Sequence, residues 1–147
     1  GELHDRLAEA GPAACRAALE LLEKGEVAGT VQDESLQTYA PKLGREDGHL
    51  DWSKSALELE RLIRALHPWP GTSTGLGKKR LKVFPPVILA EGSGTPGAVL
   101  EVRDDGLEIA CGSGSLIVGE VQLEGSRRMW GSELARGHRE ALEVGLK

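Results

Sequence analysis

The sequence predicts an α+β fold: a helical segment and linker first, then a helix leading into a small β-barrel, then a short closing helix. Three observations carry this. Apolar residues recur at three- and four-residue steps near the N-terminus and again over 53–66. From Thr72 onward the pattern changes to brief β-like runs separated by turns rich in Gly, Asp and Ser. Between the two regimes stands His67-Pro68-Trp69-Pro70-Gly71, where two prolines and a glycine stop a helix.

Leu3, Leu7, Ala10, Ala14, Ala18, Leu21 and Leu22 fall on one helical face. Gly11-Pro12 interrupts the series, so a short helix, a break and a second helix ending near Gly25 are expected. A single uncovered stripe needs a partner surface and is expected to make dimer contacts. Residues 26–50 show no sustained period; Gly29, Pro41, Gly44 and Gly48 mark an extended linker with turns, with Tyr39 as its anchor. The helical signal returns over Ser53–Leu66, where Ala56, Leu59, Leu62, Ile63 and Leu66 form a stripe and Ser55 with Glu58 fits a capping box.

The β-like runs are Thr72–Leu76, Arg80–Leu89, Ala98–Arg103, Gly106–Cys111 and Leu116–Leu123. Asp105-Gly106 suits a tight hairpin. In the last run Leu116 and Val118 break the alternation, so either its start is buried on both faces or Gly119 marks a bulge. A helix from Ser132 to His138 or beyond closes the chain. Five short strands at this spacing point to a small closed or partly open barrel.

The chain has 147 residues, room for one full domain or a small domain with a piece of another. It opens without Met directly on a helix, which reads as a piece of something longer. No run approaches the ~18 apolar residues of a membrane span, and no secretion signal is present. Cys15 and Cys111 lie far apart with no Cys or His at metal-ligand spacing, so both read as small buried thiols of a cytoplasmic protein, with no metal. The net charge of −5 argues against nucleic acid until it is divided. Residues 1–67 carry 8 basic and 13 acidic side chains, while residues 68–147 carry 10 of each. In the second part the basic residues gather in Lys78-Lys79-Arg80-Leu81-Lys82 and Arg127-Arg128.

Familiar catalytic motifs fail on context. Gly92-x-Gly94-x-x-Gly97 spells a dinucleotide fingerprint, but Pro96 leads into a strand rather than a helix. Gly71…Gly77-Lys78 has one residue too many for a P-loop, and Lys79 stands where Ser or Thr would hold magnesium. No serine sits in a Gly-x-Ser-x-Gly elbow, and His4, His49, His67 and His138 are isolated, suiting exposed or capping roles. The pairs Glu46-Asp47 and Asp104-Asp105 lie in turns, where solvated acids are ordinary.

Three ordered segments carry a resemblance: Gln32-Asp33-Glu34-Ser35…Thr38-Tyr39-Ala40-Pro41-Lys42-Leu43, then Asp47-Gly48-His49-Leu50-Asp51-Trp52-Ser53, then Leu59-Glu60-Arg61-Leu62-Ile63-Arg64-Ala65-Leu66-His67-Pro68-Trp69-Pro70-Gly71. Lys79–Val83, Pro96–Leu100, Gly112-Ser113-Gly114 and Leu123…Gly125–Met129 continue it. The chain resembles the C-terminal portion of the methionyl-tRNA formyltransferase family, with departures at His67, where the family usually has Asn, and at Thr72-Ser73-Thr74. The resemblance implies that 1–25 are terminal helices of a catalytic domain, 26–50 a linker, and 51–147 an OB-like domain that contributes to binding initiator methionyl-tRNA. It also implies formyl transfer from 10-formyltetrahydrofolate in translation initiation. The family's His-Pro-Ser and Ser-Leu-Leu-Pro signatures are absent, so no residue inherits a catalytic role and no cofactor is expected on these residues.

With that resemblance, Lys78, Lys79, Arg80 and Lys82 are candidates to face phosphate, with Arg127 and Arg128 as a second cluster. Arg80 and Lys82 project from one face of a strand, and Leu81 and Val83 from the other. Solvated charges that blunt an edge strand are the plain alternative. Lys42 and Arg45 are weaker candidates because Glu46 and Asp47 adjoin them. Trp52 and Trp69 suit packing of linker against barrel, whereas Trp130 beside Arg127-Arg128 is open to either packing or base stacking. Two other readings stay open: the C-terminal part of a nucleotide-sugar formyltransferase, and a standalone RNA-binding module.

Overall fold

The computed structural model describes residues 1–26 and 29–147, and divides into two compact units, 1–42 and 43–147. Each is described by itself.

The first unit is dominated by one helix, α1 (Glu2–Lys24), which runs through Pro12. The expected break at Gly11-Pro12 is not there. Proline removes one amide donor and crowds the preceding turn, yet the flanking Ala- and Leu-rich turns are strong helix formers and carry the helix across it. The helix ends as its glycine demands: Gly25 adopts φ 70°, its amide donates to the Leu22 carbonyl at 3.1 Å, and the Glu26 amide donates to Leu21 at 3.0 Å. No residue of α1 is buried. Cys15 is therefore exposed, against the expectation of a buried thiol. Beyond it a single 3₁₀ turn spans Glu34–Leu36, capped by the Asp33 carboxylate, which accepts from the Ser35 amide at 2.9 Å. Tyr39 is 86% exposed and anchors nothing.

The second unit opens with a 3₁₀ turn at Glu46–Gly48 and the buried Leu50 and Trp52, so the core begins inside the stretch expected as linker. Helix α2 (Ala56–Ala65) starts where Ser55 caps it. The Ser55 hydroxyl accepts from the Glu58 amide at 3.3 Å, and the Glu58 carboxylate accepts from the Ser55 amide at 3.0 Å. Ala56, Leu59 and Ile63 are buried on one face, as the stripe predicts.

Eight strands follow in two antiparallel four-stranded sheets. Strands β1 (Thr72–Leu76), β2 (Lys79–Val83), β7 (Glu120–Leu123) and β8 (Arg128–Trp130) form one in the order β1-β2-β7-β8. Strands β3 (Val87–Ala90), β6 (Ser115–Val118), β5 (Gly106–Ala110) and β4 (Val99–Arg103) form the other in the order β3-β6-β5-β4. The arrangement is the open form of the expected barrel. Two runs expected as single strands are each divided where the chain passes between sheets. Arg80–Leu89 breaks at Pro85-Pro86, which lack the amides a ladder needs. Leu116–Leu123 breaks at Gly119.

The two bends coincide. Val83 pairs with Val121 on one side of the corner and Val87 with Val118 on the other, and the Phe84 amide donates to the Glu120 carbonyl at 3.1 Å between them. One paired ribbon therefore turns the corner and belongs to both sheets. Ser115–Val118 is buried throughout, which explains the lost alternation there.

The β4–β5 turn is Asp104-Asp105, with Gly106 already paired to Arg103, so the hairpin sits one residue earlier than expected. Gly106 is needed because a Cβ there would collide with the Val118 carbonyl of the neighbouring strand. Strand β8 was not expected from the sequence. The closing helix is two short ones, α3 (Gly131–Gly137) and α4 (Arg139–Val144), meeting at His138. No helix among the described residues is long and apolar enough to cross a membrane.

Candidate nucleic-acid interface

The β1–β2 hairpin turns on Gly77 and Lys78, with Gly77 at φ 59° and Leu76 paired to Lys79. This two-residue turn fixes the phase of β2. Leu81 and Val83 enter the core, while Arg80 and Lys82 stand exposed on the other face. Lys78 and Lys79 are exposed at the hairpin tip. None of these four side chains makes an ion pair among the described residues. The Glu124 carboxylate beside Arg80 accepts from its backbone amide at 3.2 Å, not from the guanidinium.

The second predicted cluster is different in kind. Arg127 is ion-paired with Glu133, and Arg128 with Glu120. The Arg128 guanidinium also lies 4.0 Å from the centre of the Phe84 ring. Both charges are used within the fold, holding β8 to α3 and to the bend. Lys42 is exposed but lies in the other compact unit.

Arg45 joins the hairpin cations instead. Asp47, which argued against Arg45 in the sequence, is occupied: it accepts from the Gly44 amide at 2.6 Å. Arg45 is exposed and lines a groove of about 380 Å³ together with Arg80 and Lys82. A shallower depression runs from Arg45 and Arg80 to Lys78, Lys79 and Lys147, with Glu46 the one acidic side chain in its lining among the described residues. Residues separated by some 35 positions thus present one cationic surface, and only the fold brings them together.

The tryptophans divide as well. Trp52 is 4% exposed and donates from Nε1 to the Thr74 hydroxyl at 2.9 Å, whose own proton goes to the Lys147 carbonyl at 2.8 Å. Trp69 is 60% exposed and borders the 380 Å³ groove, so the expected packing of linker against barrel does not apply to it. Trp130 is 53% exposed.

Residues 42–139 match the family model described as formyl transferase, C-terminal domain. The chain belongs to this family. It is 47% identical over 146 residues to a methionyl-tRNA formyltransferase of Marinobacter nauticus, with 99% of this chain and 47% of the relative covered. A methionyl-tRNA formyltransferase of Akkermansia muciniphila is 50% identical over 144 residues, covering 94% and 46%. The chain thus spans about half the length of these relatives. Among solved structures, a variant of HypX from Aquifex aeolicus shares the fold at TM-score 0.60 and 24% identity, covering 86% of this chain and 23% of that one. HypX in complex with tetrahydrofolic acid matches at TM-score 0.56 and 25% identity, covering 80% and 21%. In this formyltransferase C-terminal domain the hairpin and its groove gather Arg45, Lys78, Lys79, Arg80 and Lys82, none of them in an ion pair among the described residues.

Proposed function

We propose that the chain is the C-terminal part of a methionyl-tRNA formyltransferase and that its task is to bind and position initiator methionyl-tRNA. The whole enzyme would transfer a formyl group from 10-formyltetrahydrofolate to the methionyl amino group in the cytoplasm, at the start of translation. The amine must attack the formyl carbon while an oxyanion is held and a proton removed. We assign none of these roles to the present residues, nor a folate site. Residues 1–25 would close the catalytic domain and 26–50 link it to the OB-like part.

The observation that carries this reading is a set of cations on one hairpin, Lys78, Lys79, Arg80 and Lys82, joined by Arg45, none of which is in an ion pair among the described residues. A cation already paired gains little from a phosphate; an unpaired one releases condensed counterions when it binds. Binding energy collected here, remote from the reacting carbonyl, orients the acceptor end. Arg127, Arg128 and Lys42 take lesser parts, the first two because their charge is already balanced.

Filter binding of initiator tRNA to the full-length enzyme tests this, comparing wild type with the double variant Lys79→Ala, Arg80→Ala. Weaker binding and a salt dependence shallower by roughly one to two contacts are expected. Unchanged affinity and slope would remove the hairpin from the site and favour a nucleotide-linked substrate.

A further inference from the structure

We infer that the groove beside the hairpin takes one unpaired nucleotide of the tRNA, with its base stacked on Trp69 and its phosphate on Arg80 and Lys82. The inference rests on the tRNA reading above and adds a stacking contact to it.

Three properties of the groove point this way. Its composition comes first. Arg45, Arg80 and Lys82 rim it, Trp69, Phe84 and Pro85 supply apolar wall, and its lining contains no carboxylate. A larger depression of about 670 Å³ between β4 and the α3–α4 pair lacks this character: Glu101, Asp104 and Glu143 balance Arg103, Arg136 and Arg139 there. Arg103 is 2.9 Å from Asp105, and Arg139 is 3.3 Å from Glu143, so its cations are partly spent. Size does not select the groove; uncompensated charge does.

The second property is the aromatic. A tryptophan 60% exposed at the edge of a cationic groove leaves a large apolar face in water. Trp69 lies between Pro68 and Pro70, whose rings restrict the backbone around it, so the backbone that carries the indole loses little freedom when a ligand arrives. A nucleobase offers a flat π surface, and any of the four bases suffices. A base inside a duplex has both faces covered by its neighbours, so the contact selects a looped-out or single-stranded nucleotide.

The third is scale. At about 380 Å³ the groove falls in the range of sites for small ligands, ~300–1,000 Å³, room for a single nucleotide. Arg80 also borders two further depressions. One leads to the hairpin tip, where Lys78, Lys79, Arg45 and Lys147 outnumber Glu46; the other leads toward β7, where Lys82 shares the lining with Glu124. The backbone therefore continues over the more cationic side, at the hairpin tip.

The test uses the full-length enzyme and initiator tRNA, with Trp69→Ala, Trp69→Phe and the Lys79→Ala, Arg80→Ala variant measured side by side for affinity, salt dependence and melting temperature. Trp69→Ala is expected to weaken binding about 5- to 150-fold, the cost of one base–aromatic stack, with the salt slope unaltered because stacking displaces no counterion. Trp69→Phe keeps a π face and is expected to recover most of the loss. Tryptophan fluorescence quenched by tRNA in the wild type should lose that quenching in Trp69→Ala. Wild-type affinity in Trp69→Ala overturns the stack. So does an equal loss in both Trp69 variants accompanied by a lower melting temperature, which marks a packing role. If the lysine–arginine variant alone weakens binding, the tRNA reading stands and the stack falls; if no variant has an effect, both fall.

Discussion

The bond from the Gly44 amide to Asp47 at 2.6 Å changes what Arg45 presents to solvent. In the sequence the acids beside Arg45 look like its counter-ions; in the fold Asp47 is held by its own turn. The signal that would have raised Arg45 is spatial, its nearness to a hairpin more than thirty residues away, and no local pattern encodes it. The reverse holds for Arg127 and Arg128, which read as a basic cluster but are matched by Glu133 and Glu120. The two thiols separate on similar grounds. Burial pushes the Cys111 thiol up to about 11, whereas Cys15 sits exposed on α1. Only the thiolate is a good nucleophile, so iodoacetamide at mildly alkaline pH should modify Cys15 and spare Cys111. Intact mass should show one adduct on the folded chain and two after denaturation; two adducts on the folded chain would contradict the burial of Cys111.

Among the elements, α2 depends on its start. Its capping box is complete, and Ser55→Ala is expected to cost about 0.5–2 kcal/mol by chemical denaturation. The hydrogen bonds from the Ser55 side chain and then its backbone hold the Glu58 carboxyl below its ordinary value. A depressed carboxylate contributes stability that is present above its unfolded pKa and disappears as pH falls through the folded one. Glu58→Gln should therefore reduce the loss of stability on acidification; an unchanged acid profile would show that the bond does no work in α2. Local signals of this kind were legible: the capping box, the Gly25 stop and the bounds of β1 all follow from the sequence. What escaped depends on partners. The divisions at Pro85-Pro86 and Gly119 are corners between sheets, and a corner has meaning only once two strands turn it together. Strand β8 is three residues long, too short to announce itself, and exists because Glu120–Gln122 lies opposite. Pro12 fails to break α1 because proline removes one bond and leaves the neighbouring turns intact.

For the molecule as a whole, every buried hydrophobic residue among the described residues lies at or beyond Leu50. Residues 43–147 hold a continuous core from α2 through both sheets to α3 and α4. A chain beginning at Leu43 is accordingly expected to melt as cooperatively as the longer one and at the same temperature. A fall of about 4–8 °C, the effect of losing roughly 1 kcal/mol in a domain near this size, would show that residues 1–42 add stability. The same division recasts the charge. Residues 43–147 carry 14 basic and 15 acidic side chains, close to neutral, so attraction to a polyanion must come from where charges are left unmatched.

The ribbon that turns the corner bears on this last point. Arg80 and Lys82 are mounted on β2, whose partner β7 continues through Gly119 into the other sheet. A ligand that grips those two side chains therefore meets a backbone already set by both layers. The entropy of arranging that backbone is lost once, when the domain folds, and is not lost again at each encounter; what remains to be ordered is the side-chain tips. A loop carrying the same charges would adapt to many spacings of phosphate. This strand holds its cations at one spacing, and in the proposed role it would act as a gauge as well as a point of attraction.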